Sequence, residues 1–368
     1  MSYRRWASVA TLVLSASLLA AAPARAEDKA LNIYNWTDYI GPNVVPNFEK
    51  ETGIHVSYDM YDANETLEAK LSAGSSGYDI AVPTLIPFLA RDIKAGLYQK
   101  IDKSKLKNWG NLDPAILNIL AKFDKGNDYA VPWIVGTDGL AVNTKAIKAI
   151  APDAPIDSYD LLFKPEWASK FKDCGIEIID SPQDVFSVAL NYLGYNPTTE
   201  NPDELNKAYE LLYKLRPFVR KFDSSGYIND LANGDACLAF GYSSDIKIAS
   251  KRAREASKPY SVDYVIPKEG TLIYVDTVAI PAGAPHYDAA LKWIDYIMRP
   301  EVMADTTNLV GGRNGVLAAN PLVKPEILND PTIYIPQDKM KNLFEGDVGS
   351  PALDRLRSRL WTRIKTGR

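Results

Sequence analysis

Apolar and polar positions alternate along Leu31-Asn32-Ile33-Tyr34, the pattern of a half-buried strand. The alternation stops at a polar and aromatic set, Asn35-Trp36-Thr37-Asp38-Tyr39. After Gly41-Pro42-Asn43, residues 44–52 take helical spacing and end at Gly53, a helix-terminating residue. The same alternation of element types continues. Residues 54–58 read as a strand. Residues 64–72 read as a helix, with Asn64 as N-cap and Leu67 and Leu71 on one face. Residues 78–83 read as a short buried strand, and 88–96 as a helix closed by glycine. Such alternation predicts a mostly parallel sheet with helices on both faces.

From Val131 to Asn143 the chain reads as extended and contains Gly136 and Gly139, a candidate crossing into a second lobe. A second α/β pattern follows. Strands are expected at 175–180 and 237–241, and helices at 181–193, 202–215 and 243–256. Residues 262–267 are extended again, a candidate crossing back. Residues 272–280 form a strong strand, and 287–298 a helix ended before Pro300. The tail at 353–365 is an amphipathic basic helix expected to pack on a lobe. Two α/β lobes joined by two extended crossings make a hinged clamp. The expected division is 27–133 with 258–305 for lobe 1, and 134–257 with 306–368 for lobe 2.

The 368 residues are 46% apolar and 24% charged, ordinary for a globular chain long enough for two domains. The net charge of −4, with no long run of one sign, argues against a nucleic-acid surface. Residues 1–26 read as a secretory signal peptide: Arg4-Arg5, an apolar stretch over 10–22, then Ala24-Arg25-Ala26 at the cleavage site. No cysteine sits there to carry a lipid, and no later apolar run is long enough to span a bilayer. A soluble, exported protein of a bacterial periplasm is expected.

In an oxidising compartment the two cysteines, Cys174 and Cys237, read as a disulfide tying two strands of one lobe; two separate buried thiols are the alternative. The only histidines are His55 and His286, which argues against a zinc site and against a catalytic triad.

Candidate chemistry lies in the acids. Asp276 stands inside Leu272-Ile273-Tyr274-Val275-Asp276-Thr277-Val278, a run built for burial. A lone buried carboxylate is costly, so it calls for a partner: a Lys or Arg of the chain, or a ligand cation. Asp245 follows a strand and opens a helix, either as a first-turn acid or as part of the same site. Asp184 follows Ser181 and Pro182, and reads equally as part of a capping arrangement. Trp36, Asp38 and Tyr39 fall at the carboxyl end of a strand, where open α/β sheets bind ligands. Ring faces and a carboxylate together suit an organic cation, although Trp36 and Tyr39 as core and Asp38 as a cap would explain them as well. With Tyr242 and Tyr274 added, the set suits a flexible chain bearing ammonium groups.

The sequence resembles the periplasmic polyamine-binding proteins of ABC importers, the putrescine binders above all, over nearly all of the chain beyond residue 26. The resemblance rests on Tyr34-Asn35-Trp36-Thr37-Asp38-Tyr39-Ile40, Asn47-Phe48-Glu49-Lys50-Glu51-Thr52-Gly53-Ile54, Asp102-Lys103-Ser104-Lys105-Leu106 and Asn191-Tyr192-Leu193-Gly194. Tyr227-Ile228-Asn229-Asp230-Leu231-Ala232-Asn233-Gly234-Asp235 and Ile266-Pro267-Lys268-Glu269-Gly270 complete it. It implies the two-lobed periplasmic binding fold of the second type and a cleft in which carboxylates hold amines and aromatic rings line the methylenes. The ligand set it implies is Trp36, Thr37, Asp38, Tyr39, Thr84, Asp184 (Glu in the putrescine binder), Tyr242 (Trp there), Asp245, Tyr274 (Phe there) and Asp276. Cys174 and Cys237 match the family's bridged pair. The implied partners are a small amine ligand and the membrane permease subunits of an importer. The resemblance implies a monomer with neither cofactor nor metal, and not an enzyme.

Three departures from the family pattern bear on the ligand. Val135 replaces an aromatic, Asp138 is an added acid, and Gly312 stands where an aromatic is expected, with Arg313 beside it. An arginine in the cleft would repel a diamine and grip a carboxylate. That opens a second reading, an ω-amino acid such as 4-aminobutyrate or 5-aminovalerate with Arg313 on its carboxylate. Alternatively Arg313 points away, to a structural acid. A third reading, an exported hydrolase working through paired carboxylates, has no nucleophile motif to support it.

Overall fold

The structure, a computed structural model, describes residues 29–367; the expected leader at 1–26 lies outside the described residues. Leu31 and Ile33 are buried in the first strand, Ala30–Trp36, which lies between parallel neighbours His55–Tyr61 and Ile80–Ala81. The register pairs Trp36 with Tyr61, so both strands deliver aromatic ends to the same edge of the sheet. The helix Val44–Thr52 stops at Gly53, whose φ of 69° is the left-handed cap glycine adopts without strain. The helix Asn64–Ser72 buries Leu67 and Leu71 as its spacing predicts, but Ala63 rather than Asn64 is its cap. The Asn64 amide is turned to Thr84, donating to its Oγ1 at 2.9 Å and accepting from its N–H at 3.1 Å.

One sheet spans both lobes, in the order 55–61, 30–36, 80–81, 271–281, 130–142, 238–242, 176–178, 221–222. The forward crossing is where the sequence places it. Ala130–Val142 pairs through its first part with Thr271–Pro281 and through its last part with Leu238–Tyr242. The return crossing is elsewhere. Asp263–Val265 pairs with 140–142 inside the second lobe, and the chain crosses back along Thr271–Pro281, which reaches Ala81 of the first. Three paired residues are too few to bridge two lobes, whereas the eleven of 271–281 are long enough to belong to both.

Packing also redraws the expected lobe boundaries. Val262 and Tyr264 belong to the second core, together with Leu360, Trp361 and Ile364 of the tail helix Pro351–Thr366. Val310, Val316, Val323, Ile327 and Ile333 pack on the first core, not the second. The helix Pro300–Val310 buries Val302 and Met303 beside the preceding helix Tyr287–Ile297, so the core continues through residue 305 without a break. The chain then crosses a third time, with Leu343–Phe344 pairing beside Thr271–Leu272. Cys174 and Cys237 are bridged, with Cα atoms 5.6 Å apart, which ties Ile176–Ile178 to its parallel neighbour Leu238–Tyr242.

The lobes touch across the cleft. Arg252 reaches Asp38 at 2.8 Å, Lys247 reaches Asp330 at 2.6 Å, and Arg91 reaches Asp354 at 2.8 Å, each pair joining residues packed on different cores. Among the described residues no helix is long and apolar enough to cross a membrane.

Candidate functional site

Asp276 lies on the crossing strand 271–281 and is 4% exposed. Its partners are two hydroxyls rather than Lys or Arg. Thr84 donates to Oδ1 at 2.7 Å and Tyr39 to Oδ2 at 2.6 Å. Burial pushes its carboxyl up to about 6, against the pull of those two hydrogen bonds. A backbone bridge between Thr84 and Asp276 fixes the first of them.

Asp245 sits in the first turn of Ser243–Glu255, and its Oδ2 accepts from Tyr227 Oη at 2.9 Å. Burial raises it to about 7; the Tyr227 hydrogen bond opposes this, and Asp38 and Asp276 add repulsion. Asp184 opens the helix Pro182–Tyr192. Ser181 provides the cap, accepting from the Asp184 N–H at 3.4 Å, while the Asp184 carboxylate takes the Tyr242 hydroxyl at 3.1 Å. Burial raises it as well, partly offset by Tyr242 and by Arg357 of the tail helix.

Rings from both lobes meet between these acids. Trp36 packs on Tyr61 with centroids 4.6 Å apart and meets Tyr242 edge-on at 6.4 Å. Tyr242 meets Tyr274 at 5.7 Å, nearly perpendicular. Tyr274 lies so close over the neighbouring strand Ala130–Val142 that a Cβ on Gly136 would collide with its phenol. Together the rings and acids wall a cavity that is partly open to solvent. Of the eleven residues expected at the ligand, nine line it: Trp36, Thr37, Tyr39, Thr84, Asp184, Tyr242, Asp245, Tyr274 and Asp276.

The other two do not. Arg313 turns from the cleft to Asp113, donating from Nη2 to Oδ2 at 2.8 Å, and its backbone pairs with Val135. Asp113 is 6% exposed and a buried acid holds its cation, so the carboxylate anchor that an ω-amino acid needs is not in the cavity. Asp38, at φ 56°, projects to Arg252 and joins the lobes instead of lining the cavity. The added acid Asp138 is fully enclosed, and neither of its oxygens has a hydrogen-bond partner among the described residues. Burial, and then repulsion from Asp184 and Asp276, holds it well above the usual carboxylate range.

Sequence reasoning missed Tyr61, Ser244 and the apolar wall made by Leu85, Ile86, Phe88 and Ile119. Tyr61-Asp62 ends the second strand just as Trp36-Thr37 ends the first, a signal that was available. The apolar wall carried none, since such residues also read as core.

Two lobes closing on a cavity of acids and aromatic rings define a solute-binding clamp. The chain belongs to the bacterial extracellular solute-binding protein family, whose model matches residues 43–333. It is 49% identical to the putrescine-binding periplasmic protein SpuD of Pseudomonas aeruginosa over 358 residues, 97% of either chain. It is 48% identical to the putrescine-binding periplasmic protein PotF of Escherichia coli, over 93% of each. Among solved structures it is similar to the spermidine/putrescine ABC transporter substrate-binding protein PotD of Streptococcus pneumoniae, with a TM-score of 0.72 and 27% identity over 92% of this chain and 99% of that one. The resemblance drawn from the sequence blocks is borne out.

Proposed function

We propose that this protein is the periplasmic solute-binding component of an ABC importer and that it takes polyamines such as putrescine in the cleft between its lobes. One observation carries the reading: Asp276, enclosed and held by two neutral hydroxyls, has a negative charge that no cation among the described residues answers. An ammonium group supplies it, with Asp245 and Asp184 as further acids and Trp36, Tyr242 and Tyr274 along the methylenes. Arg313, bound to Asp113, speaks against the ω-amino acid reading. The protein then works as a monomeric receptor for membrane permease subunits and catalyses no reaction.

The test is a thermal-shift panel on the protein with putrescine, cadaverine, spermidine, agmatine, 4-aminobutyrate and 5-aminovalerate. A ligand that binds only the folded state raises the melting temperature. The diamines are expected to raise it and the ω-amino acids to leave it unchanged. The reverse order would overturn the polyamine reading.

A further inference from the structure

The tail helix Pro351–Thr366 is bounded by its own sequence. Ser350 caps it, accepting from the Leu353 N–H at 3.3 Å, and Gly367 ends it in the left-handed conformation. Leu353, Leu360, Trp361 and Ile364 face the second core. The outer face has charge of one sign. Arg355, Arg359 and Arg363 are exposed at successive i+4 positions, about 12 Å from first to last. The other exposed residues between them are Ser358 and Thr362, so this face carries no acid.

An exposed helix face ordinarily mixes the two signs. Here an acidic chain, of net charge −4, gathers five bases and one acid on a single helix. That acid, Asp354, is engaged by Arg91 at 2.8 Å and by Arg357 at 3.5 Å. Lys365 is taken up by Asp180 at 2.7 Å. Arg363 lies over the Tyr209 ring, 5.0 Å from its centroid, which supports the side chain without pairing its charge. Asp203 and Glu204 open the neighbouring helix Pro202–Leu215, but among the described residues no carboxylate pairs with Arg355, Arg359 or Arg363. Guanidinium groups grip phosphate oxygens with two parallel hydrogen bonds. The helix also starts at the seam between the lobes, where Asp354 meets Arg91. A receptor that hands its ligand to permease subunits opens along that seam, so delivery brings the stripe toward the bilayer.

We propose that the arginine face of the tail helix docks the protein on an anionic phospholipid surface, with Arg355, Arg359 and Arg363 on lipid phosphates. This rests on the reading of the chain as a periplasmic receptor and adds a contact with the bilayer itself. Each arginine near such a surface strengthens association about fivefold, and three together about a hundredfold.

Co-sedimentation of the exported protein with lipid vesicles tests the proposal. At low salt the protein is expected to bind vesicles of equal parts phosphatidylglycerol and phosphatidylcholine at least about tenfold more tightly than phosphatidylcholine alone, and to come off as salt is raised. Arg355→Gln, Arg359→Gln and Arg363→Gln combined are expected to remove that preference. None of the three lines the cavity, so the melting shift with putrescine reports whether the variant is folded. Lys94→Gln, Lys125→Gln and Lys172→Gln combined take the same charge from other exposed sites and are expected to leave most of the preference in place. Equal binding to both kinds of vesicle overturns the inference. So does an equal loss in the two triple variants, which would make the attraction one of diffuse charge. Binding that appears only with permease subunits in the vesicles also overturns it, by assigning the face to a protein partner. Each of these outcomes leaves the receptor reading standing, which the thermal-shift panel tests by itself.

Discussion

The hydroxyl of Tyr39, in the loop after the first strand, donates at 2.6 Å to Asp276 on the strand Thr271–Pro281, joining residues 237 positions apart. With Thr84 on the other oxygen, the pair orients a carboxylate without neutralising it. Truncating one member of a buried charge pair costs roughly 2–5 kcal/mol of binding. Asp276→Ala is therefore expected to weaken putrescine binding by that amount in a calorimetric titration. It also removes an acid that burial disfavours, so the melting temperature without ligand is expected to hold or rise. Wild-type affinity in the mutant would take Asp276 out of the site.

Titration of the acids sets a pH dependence whose sign follows from burial. Asp276 at about 6 and Asp245 at about 7 hold their protons more tightly in the folded protein than in the unfolded chain, where a carboxyl titrates near about 4. The contribution of these two groups to ligand-free stability is thus full below about pH 4 and is lost as pH rises through about 6 to 7. Ammonium ligands select the ionised forms, so affinity runs the other way, rising through the same window and levelling above it. Melting curves from pH 5 to 8, with and without putrescine, measure both slopes. Affinity that stays flat over that range would mean that neither acid changes charge on binding.

The fold class and most of the residues lining the cavity were legible in the sequence because their signals are local. Strand ends that break into Trp36-Thr37 or Tyr242-Ser243-Ser244-Asp245 show polar groups where burial stops, and Asp276 stands out inside an apolar run. What the sequence hid depends on distant partners. Arg313 looks like a cleft residue until Asp113, two hundred positions away, takes it up. Asp38 sits in the expected ligand block, yet its positive φ turns it outward to Arg252. The second crossing was misplaced because 262–267 and 272–280 are both extended, and only pairing with Ala130–Val142 shows which one belongs to both lobes.

Arg313 tests the choice between ligand classes. Its side chain is 30% exposed, and that of Asp113 is 8% exposed. Arg313→Ala leaves a buried acid unpaired, at a cost of about 1–3 kcal/mol to stability. The expected result is a lower melting temperature and an unchanged ratio of putrescine to 5-aminovalerate binding. A shift of that ratio toward putrescine would bring Arg313 back to the ligand.

Asp138 is expected to be a liability that grows with pH. It is enclosed, unpartnered and raised well above the usual range, so its proton is bound more tightly in the folded state. Stability tied to that proton is present below about pH 4 and diminishes as pH climbs toward the folded value. Asp138→Asn keeps the shape and cannot ionise. Its melting temperature relative to the parent is expected to improve from pH 5 to pH 8; a constant difference would point to a compensating cation near Asp138.

The contact between Asp38 and Arg252 joins the lobes at 2.8 Å, and both side chains are about a third exposed, at 38% and 35%. Solvent screening limits such a pair to about 0.2–1 kcal/mol. Because it spans the cleft, it acts on the closed clamp and not on either lobe alone. Arg252→Ala is expected to speed putrescine release up to about fivefold, with little change in association rate at high salt. Arg252 also contacts Asn229 at 3.0 Å within its own lobe, so the single variant mixes two effects. A double-mutant cycle with Asp38→Asn separates them. A coupling energy in the dissociation rate that fades with added salt is the expected result, since exposed charges are screened. Strict additivity of the two variants would show that the pair contributes nothing to holding the lobes together.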